Sequence, residues 1–338
     1  MSEIKQQKLT VLMTVYNAER YVRDAIDSIL NQSHKDFCFL IINDGSSDDS
    51  LKIINSFDDK RITVLNNEKN YGLVASLNKG IAAINSEYIV RMDADDISLP
   101  YRLETQLKFM EQNPDIGVSS AGLELFDLQK SSPPVVRGSD TIKALLLFNS
   151  SINHAVAIIR TAVLKSNKIL YRSIFPHMED YDLWYRLKDV TKFENINEVL
   201  YKYRIHGENV TVTNRTSAFE RKKMFYRETL KDLGIIPEEE ELNLHLGLSE
   251  STPLRPDKVN LLKYRNWLDK IAHFNKQSNL YSQYALENVL LKKWEQLFYY
   301  LPPYGEEIVQ EYFRISGKKL FAHRYYFFRS KMKKRFGI

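Results

Sequence analysis

Residues 88–96 read Tyr88-Ile89-Val90-Arg91-Met92-Asp93-Ala94-Asp95-Asp96, a short β-branched run that passes directly into carboxylates. Such a run predicts a buried strand. In extended chain the side chains of Asp93 and Asp95 point to one face, because the period is two. Two carboxylates so close repel each other unless a cation sits between them. Hard divalent ions such as Mg²⁺ or Mn²⁺ favour carboxylate oxygens together with a substrate phosphate. A charge cluster is usually a solvated loop, but this one follows an apolar strand, which favours a metal-binding edge.

The same pattern recurs on both sides. Apolar runs at Leu9 to Val15, Phe37 to Ile42, Ile62 to Leu65 and Ile116 to Ser120 flank segments of helical period. In those segments Tyr21, Ala25, Ile29 and Leu30 recur at helical spacing, as do Leu73, Leu77, Ile81 and Ile84, and Leu103, Leu107 and Met110. Strand and helix in alternation predict an α/β fold with a doubly wound, Rossmann-like, mostly parallel sheet, in which ligands sit beyond the carboxyl ends of the strands. Residues 127–139, polar and carrying two prolines, read as a loop. From Ser151 to His206 the reading is mixed: a strand at Ala155 to Ile159, a helix from Glu179 to Lys188 and a strand at Val199 to Tyr203. After Asn214 the pattern is helical, with Pro237 and Glu238 to Glu241 suiting a helix start. A boundary near residue 215 results.

Several strand ends carry chemistry. Thr14-Val15-Tyr16-Asn17-Ala18-Glu19 ends the first run, and Asn43-Asp44-Gly45-Ser46-Ser47-Asp48 ends the second. Alone, Asp48 reads as a helix cap and Asp44 as a turn former. Further on lies Pro176-His177-Met178-Glu179-Asp180-Tyr181-Asp182. Neighbours on a helix are ~100° apart, so one of Glu179 and Asp180 is a base and the other caps or orients. Acidic residues also simply favour a helix start. Tyr203-Arg204-Ile205-His206-Gly207 pairs a permanent cation with an imidazole, which suits diphosphate or metal but equally a salt-bridged turn.

The 338 residues include 43% hydrophobic and 27% charged residues, enough for a core and too rich for a disordered or mini-protein reading. The length suggests two domains or one with an appendage. One cysteine, Cys38, excludes an internal disulfide and fits a reducing compartment. The start MSEIKQQKLT has no apolar core after its charges, and no window has ~18 uninterrupted apolar residues. Neither a standard secretory signal nor a spanning segment is expected.

Val11 to Asn17, Ile42 to Asp48, Asn70-Tyr71-Gly72 to Asn78-Lys79-Gly80, Asp93-Ala94-Asp95-Asp96 and Glu179-Asp180, in that order, resemble the family 2 inverting glycosyltransferases of GT-A fold, of the bacterial non-processive type. The likeness spans about residues 8–210. It implies a GT-A domain over 1–214, with a nucleotide-binding half at about 1–100 and an acceptor half at about 101–214, and a helical region over 215–338. It also implies a nucleotide-sugar donor, Mn²⁺ or Mg²⁺, and displacement with inversion. By position, Thr14, Tyr16 and Glu19 would line the nucleoside pocket. Asp44 would accept from the base, favouring the ring N–H of uracil and hence a UDP-linked donor. Asn78 and Lys79 would approach the diphosphate or sugar. Asp93 and Asp95 would hold ribose and metal, Arg204 would close over the diphosphate, and His206 would add a metal contact. Asp180 is the chosen base, because an attacking hydroxyl must lose its proton.

The processive members' Gln-x-x-Arg-Trp motif and spanning helices are absent from the sequence. Transfer of one or a few sugars to a glycan or lipid-linked acceptor is therefore expected, in surface polysaccharide biosynthesis. A nucleotidyltransferase would need a Gly-rich basic loop where Tyr16-Asn17-Ala18-Glu19 stands. A non-catalytic nucleic-acid- or membrane-binding module is the remaining alternative.

That alternative draws on the end of the chain. Gly317–Ile338 holds eight of the 48 Lys and Arg and no acid, leaving 40 basic against 43 acidic residues, a net of −3, in the rest. Interleaved Phe321, Tyr325, Tyr326, Phe327, Phe328 and Phe336 suit an anionic lipid surface, worth ~1 kcal/mol per basic residue. They equally suit packing on the helical region and, less well, single-stranded nucleic acid. The expected location is cytoplasmic, with peripheral contact at the inner membrane face, and the helical region offers a surface for a homodimer.

Overall fold

The computed structural model describes residues 7–206, 215–250, 260–299, 301 and 306–317. The basic tail beyond Gly317 lies outside the described residues. The chain divides into two compact units, one of Met1–Leu146 with Ser150–Asn214, the other of Leu147–Asn149 with Arg215–Ile338.

The first unit is built on strand β1 (Leu9–Val15), buried on both faces and paired in parallel with β2 (Cys38–Asn43) on one side and β4 (Tyr88–Asp93) on the other. β3 (Ile62–Asn66) adds to β2, also in parallel. Parallel neighbours need crossovers, and helices α1 (Val22–Leu30), α2 (Ser50–Asn55) and α3 (Leu73–Ala83) supply them. Beyond β4 the sheet becomes mixed. β7 (Ile158–Arg160) runs antiparallel to both β4 and β6 (Ile116–Asp127). β8 (Lys192–Ile205) is parallel to β6, and β5 (Ile97–Ser98) closes the edge antiparallel to β8. The order is β3-β2-β1-β4-β7-β6-β8-β5. Helices α4 (Arg102–Gln112), α5 (Ser139–Leu145), α6 (Thr161–Lys165) and α7 (Glu179–Leu187) complete the unit. The core includes Leu9, Val11, Met13, Phe39, Ile41, Val90 and Met92, and the lone Cys38 is buried.

Two expectations differ in detail. The strand expected over Ala155 to Ile159 is a 3₁₀ turn, His154–Val156, followed by β7. The backbone can leave the ladder there because side chains satisfy its carbonyls: Gln106 Nε2 donates to Val156 O at 2.6 Å and Arg102 Nη2 to Ala155 O at 3.3 Å. β6 and β8 run longer than their apolar runs because register shifts near Gly122 break the alternation that marks a strand.

The second unit contains α8 (Arg215–Asp232), α9 (Glu239–Glu250), α10 (Asn260–Ser278), α11 (Gln283–Phe298) and α12 (Glu306–Ser316). At its centre buried His245 stacks on Phe148 at 4.6 Å and meets Tyr226 and Trp267 edge-on. Lys293 Nζ donates to Asn149 Oδ1 at 2.5 Å, so Leu147–Asn149 is integral to this unit. No helix among the described residues is long and apolar enough to cross a membrane.

Gly45, just past β2, has φ +68°, and a Cβ there would lie 2.4 Å from the carbonyl carbon of Lys69. Backbone meets backbone at that point, so neither side can yield. Gly45→Ala is expected to destabilise the protein by at least about 2 kcal/mol, read as a lower urea midpoint.

Candidate active site

Strand register assembles the site. Asn66, Asn43, Val15 and, one step over, the Thr14–Asp93 pair lie side by side at the carboxyl edge of the parallel strands. Asp44 comes immediately after. It is 4% exposed, and its carboxylate accepts from Asn67 Nδ2 at 2.7 Å, the Tyr71 N–H at 3.0 Å and the Gly72 N–H at 2.9 Å. Lys79 Nζ in turn donates to Asn67 Oδ1 at 2.6 Å. Asp44 is thus the anchor of the segment entering α3. Lys79, expected to approach a diphosphate, contacts that anchor through Asn67.

The loops after β1 and β2 are stitched together. The Glu19 N–H donates to Asp48 and the Asp49 N–H to Glu19, both at 3.0 Å, while Ser46 and Ser50 hydroxyls accept from Asn17 and Ala18. The Glu19 carboxylate, expected in the nucleoside pocket, accepts from the backbone at the start of α2. Thr14 is half-buried at the strand end, and Tyr16 is 49% exposed, an open aromatic face beside it. Asn78 is likewise committed: its amide donates to Tyr171 O at 2.9 Å and accepts from the Tyr171 N–H at 3.0 Å. It joins α3 to the distant segment at Tyr171.

Around β4 the carboxylates separate into roles. Asp93 is paired with Arg91 at 2.6 Å and keeps 30% of its side chain open. Burial, with Asp95 alongside, pushes its carboxyl upward against the pull of Arg91. Asp96 is enclosed and accepts from the Arg204 N–H at 2.7 Å; burial, then Asp93 and Asp95, push it to about 9, so it is neutral at pH 7. Asp95 Oδ2 lies 3.0 Å from His206 Nε2. Among the described residues no group of three His, Cys, Asp or Glu could hold a metal ion. Of the expected set of Asp93, Asp95 and His206, Asp93 pairs with Arg91 while Asp95 and His206 lie together. An oxygen and an imidazole still suit Mg²⁺ or Mn²⁺, which commonly takes one or two protein carboxylates and completes its shell with substrate phosphates and water.

Arg204, expected to close over the diphosphate, is packed at the carboxylate loop. Its guanidinium lies between the rings of Tyr21 and Phe126, at 4.7 and 4.6 Å, and its Nε donates to Asp95 O at 2.8 Å. It carries β8 onto the carboxylate loop and so places His206 beside Asp95.

Asp180 lies in the first turn of α7, half-buried like Glu179. Burial, then the Glu179 charge, raise its carboxyl to about 6, and Asp93 adds to the effect. An acid of that strength is ionised at neutral pH yet basic enough to take a proton.

Sequence reading missed Arg91 and Arg102, which are 2% and 0% exposed. Arg102 lies over the Tyr201 ring at 4.8 Å, and burial lowers it to about 10. The available signal was an arginine inside each of two apolar patterns, at a strand and at a helix beside a carboxylate cluster.

The fold is an α/β sheet with acidic and aromatic side chains gathered at the carboxyl edge of its parallel strands. Residues 10–165 match the family model described as Glycosyl transferase family 2. An uncharacterized glycosyltransferase of Haemophilus influenzae is 30% identical over 239 residues, covering 66% of this chain and 73% of the relative. The O-antigen biosynthesis glycosyltransferase WbnJ of Escherichia coli is 32% identical, covering 66% and 89%, and the amylovoran biosynthesis glycosyltransferase AmsE of Erwinia amylovora is 28% identical, covering 75% and 97%. The crystal structure of S. aureus TarS 1-349 in complex with UDP-GlcNAc shares the fold, with a TM-score of 0.57, 16% identity and 93% of each chain covered. The chain belongs to glycosyl transferase family 2 and is a glycosyltransferase.

Replacing Asp44 with Ala takes the acceptor from the Tyr71 N–H and one of two acceptors from the Asn67 amide and from the Gly72 N–H, which keep Ser76 Oγ and Asn70 Oδ1. Faster hydrogen exchange at Tyr71 and Gly72 is expected, with a stability loss of about 1–3 kcal/mol; Asp44→Asn, which keeps one acceptor oxygen, should lose less.

Proposed function

We propose that the protein transfers a sugar from a UDP-linked donor to a hydroxyl of a glycan or lipid-linked acceptor, with inversion, in surface polysaccharide biosynthesis. The observation that carries this reading is one carboxylate, Asp180, raised to about 6 at the start of α7 and in electrostatic contact with the Asp93 edge. Biosynthetic names among the relatives, WbnJ and AmsE, support the setting, and the UDP and UDP-GlcNAc complexes of TarS support the donor class.

On this reading the first hundred residues bind the nucleotide. Tyr16 offers a stacking face, Thr14 lines the strand end, and Asp44 has acceptor capacity left on Oδ2 for a base N–H. Asp93, steadied by Arg91, faces the ribose. Asp95, with His206, would hold Mn²⁺ or Mg²⁺, which supplies Lewis-acid stabilisation of the departing diphosphate. Residues 101–214 receive the acceptor. Its hydroxyl oxygen bonds to the anomeric carbon on the face opposite the diphosphate, Asp180 takes the hydroxyl proton, and the breaking glycosidic bond leaves its electron pair on the diphosphate oxygen. Positioning and fixed charge supply most of the acceleration.

The tail beyond the described residues would hold the enzyme at an anionic membrane face. The full chain is expected to co-sediment with vesicles containing phosphatidylglycerol and to come off as salt is raised. A homodimer through the helical unit is a further part of this reading, tested by light scattering.

Purified protein with Mn²⁺, UDP-sugars and an acceptor pool is expected to release UDP; no release from any donor would overturn the reading. As pH falls, Asp180 protonates, so kcat should fall through about 6 and recover as pH rises. Asp180→Asn should lower kcat by about 10²- to 10⁴-fold and abolish that acid limb.

A further inference from the structure

The wall linking the Asp93 edge to the Asp180 helix contains two polar rings that the proposed transfer leaves unused. β4 runs toward Asp93 while β7 runs antiparallel to it, with Val90 opposite Ile158 and the Arg91 N–H donating to Ala157 O at 2.8 Å. Past that pair, the 3₁₀ turn His154–Val156 must lie beside the carboxyl end of β4. His154 therefore stands at the ligand edge. Its ring meets the edge of Trp184 at 6.1 Å. Trp184 is one helical turn after Asp180, so the two share a face of α7.

His154 Nε2 and Tyr171 Oη are 2.7 Å apart. Tyr171 is held at both backbone ends by the Asn78 amide, which fixes the phenol without using its hydroxyl. Burial holds His154 well below the usual imidazole range, so it is neutral, and pushes the Tyr171 phenol upward, so it keeps its proton. Arg91, Asp180, Glu179 and Asp93 all bear electrostatically on that phenol. A tyrosine hydroxyl has one donor and two acceptor positions. His154 occupies one of them whichever tautomer it adopts, and the others remain. Nearby, Trp184 Nε1 is buried and has no partner among the described residues, a condition native proteins seldom leave unexplained.

In an inverting transfer, the moving sugar lies between the diphosphate it leaves and the base that takes the acceptor's proton. We propose that Tyr171, oriented by His154 and Asn78, hydrogen-bonds a hydroxyl of the donor's sugar and is a specificity-determining residue of this site. The inference rests on the nucleotide-sugar reading of the site and adds where the sugar itself is recognised. Tyr171 reads the sugar and leaves the nucleotide to the strand ends.

The test is calorimetric titration of the full chain in Mn²⁺ with UDP and with UDP-GlcNAc, UDP-glucose and UDP-galactose, on wild type, Tyr171→Phe and His154→Gln. Tyr171→Phe is expected to leave the Kd for UDP unchanged and to weaken the preferred UDP-sugar by about five- to tenfold, the effect of one neutral hydrogen bond. His154→Gln, which loosens the phenol, should narrow the preference among the three sugars. Wild-type binding of a UDP-sugar with no change in Tyr171→Phe overturns this inference alone. Equal loss of UDP and UDP-sugar overturns it as well, since that marks a merely structural tyrosine. A wild type that binds none of the four ligands overturns it together with the donor reading.

Discussion

Parallel pairing of β1 with both neighbours is the constraint on which the site depends. Each parallel strand must return by a crossover, so β1, β2, β3 and β4 all finish at one edge. That edge collects the residues at and just past each strand end: Thr14 and Tyr16, Asp44, Asn66 and Asn67, and the carboxylates from Asp93 to Asp96. No single motif builds the site. The ladder brings them into register, and a slip of one residue would turn every core side chain to the other face.

Gathering acids at one edge has an electrostatic cost, and the molecule meets it locally in three ways. Asp44 is met by two backbone N–H groups and an amide. Asp93 is met by the buried guanidinium of Arg91. Asp96 is neutralised by its own protonation, at about 9. Asp95 lies beside the His206 imidazole. The cluster is therefore graded, with each carboxylate met by a different kind of partner.

The fold was legible in the sequence because buried parallel strands are continuous apolar runs and amphipathic crossover helices have a clear period. Asp93 and Asp95 were legible as carboxylates at the end of a buried strand, and Asp180 as an acid in a helix's first turn. The division of labour among them was not, since it depends on partners distant in the chain. Glu19 and Asn78 illustrate this. Both sit in motifs that suggest a ligand, yet each is consumed by backbone groups, of Asp49 in one case and of Tyr171, 93 positions away, in the other. The Arg204 guanidinium, between Tyr21 and Phe126, is a third such case. No local pattern encodes contacts of that kind. β5 was missed because a two-residue strand carries no period at all.

Asp180 shows how the surroundings of a group outweigh its local position. The first turn of a helix favours a carboxylate's charge, and the Tyr181 N–H donates to Asp180 Oδ1 at 2.7 Å; both effects lower its pKa. Burial and the Glu179 charge act in the opposite direction and win, leaving it near 6. An aspartate at an open helix start would stay at the ordinary carboxylate value, ionised but a poor proton acceptor. Enclosure, more than position on the helix, therefore sets the proton affinity of Asp180.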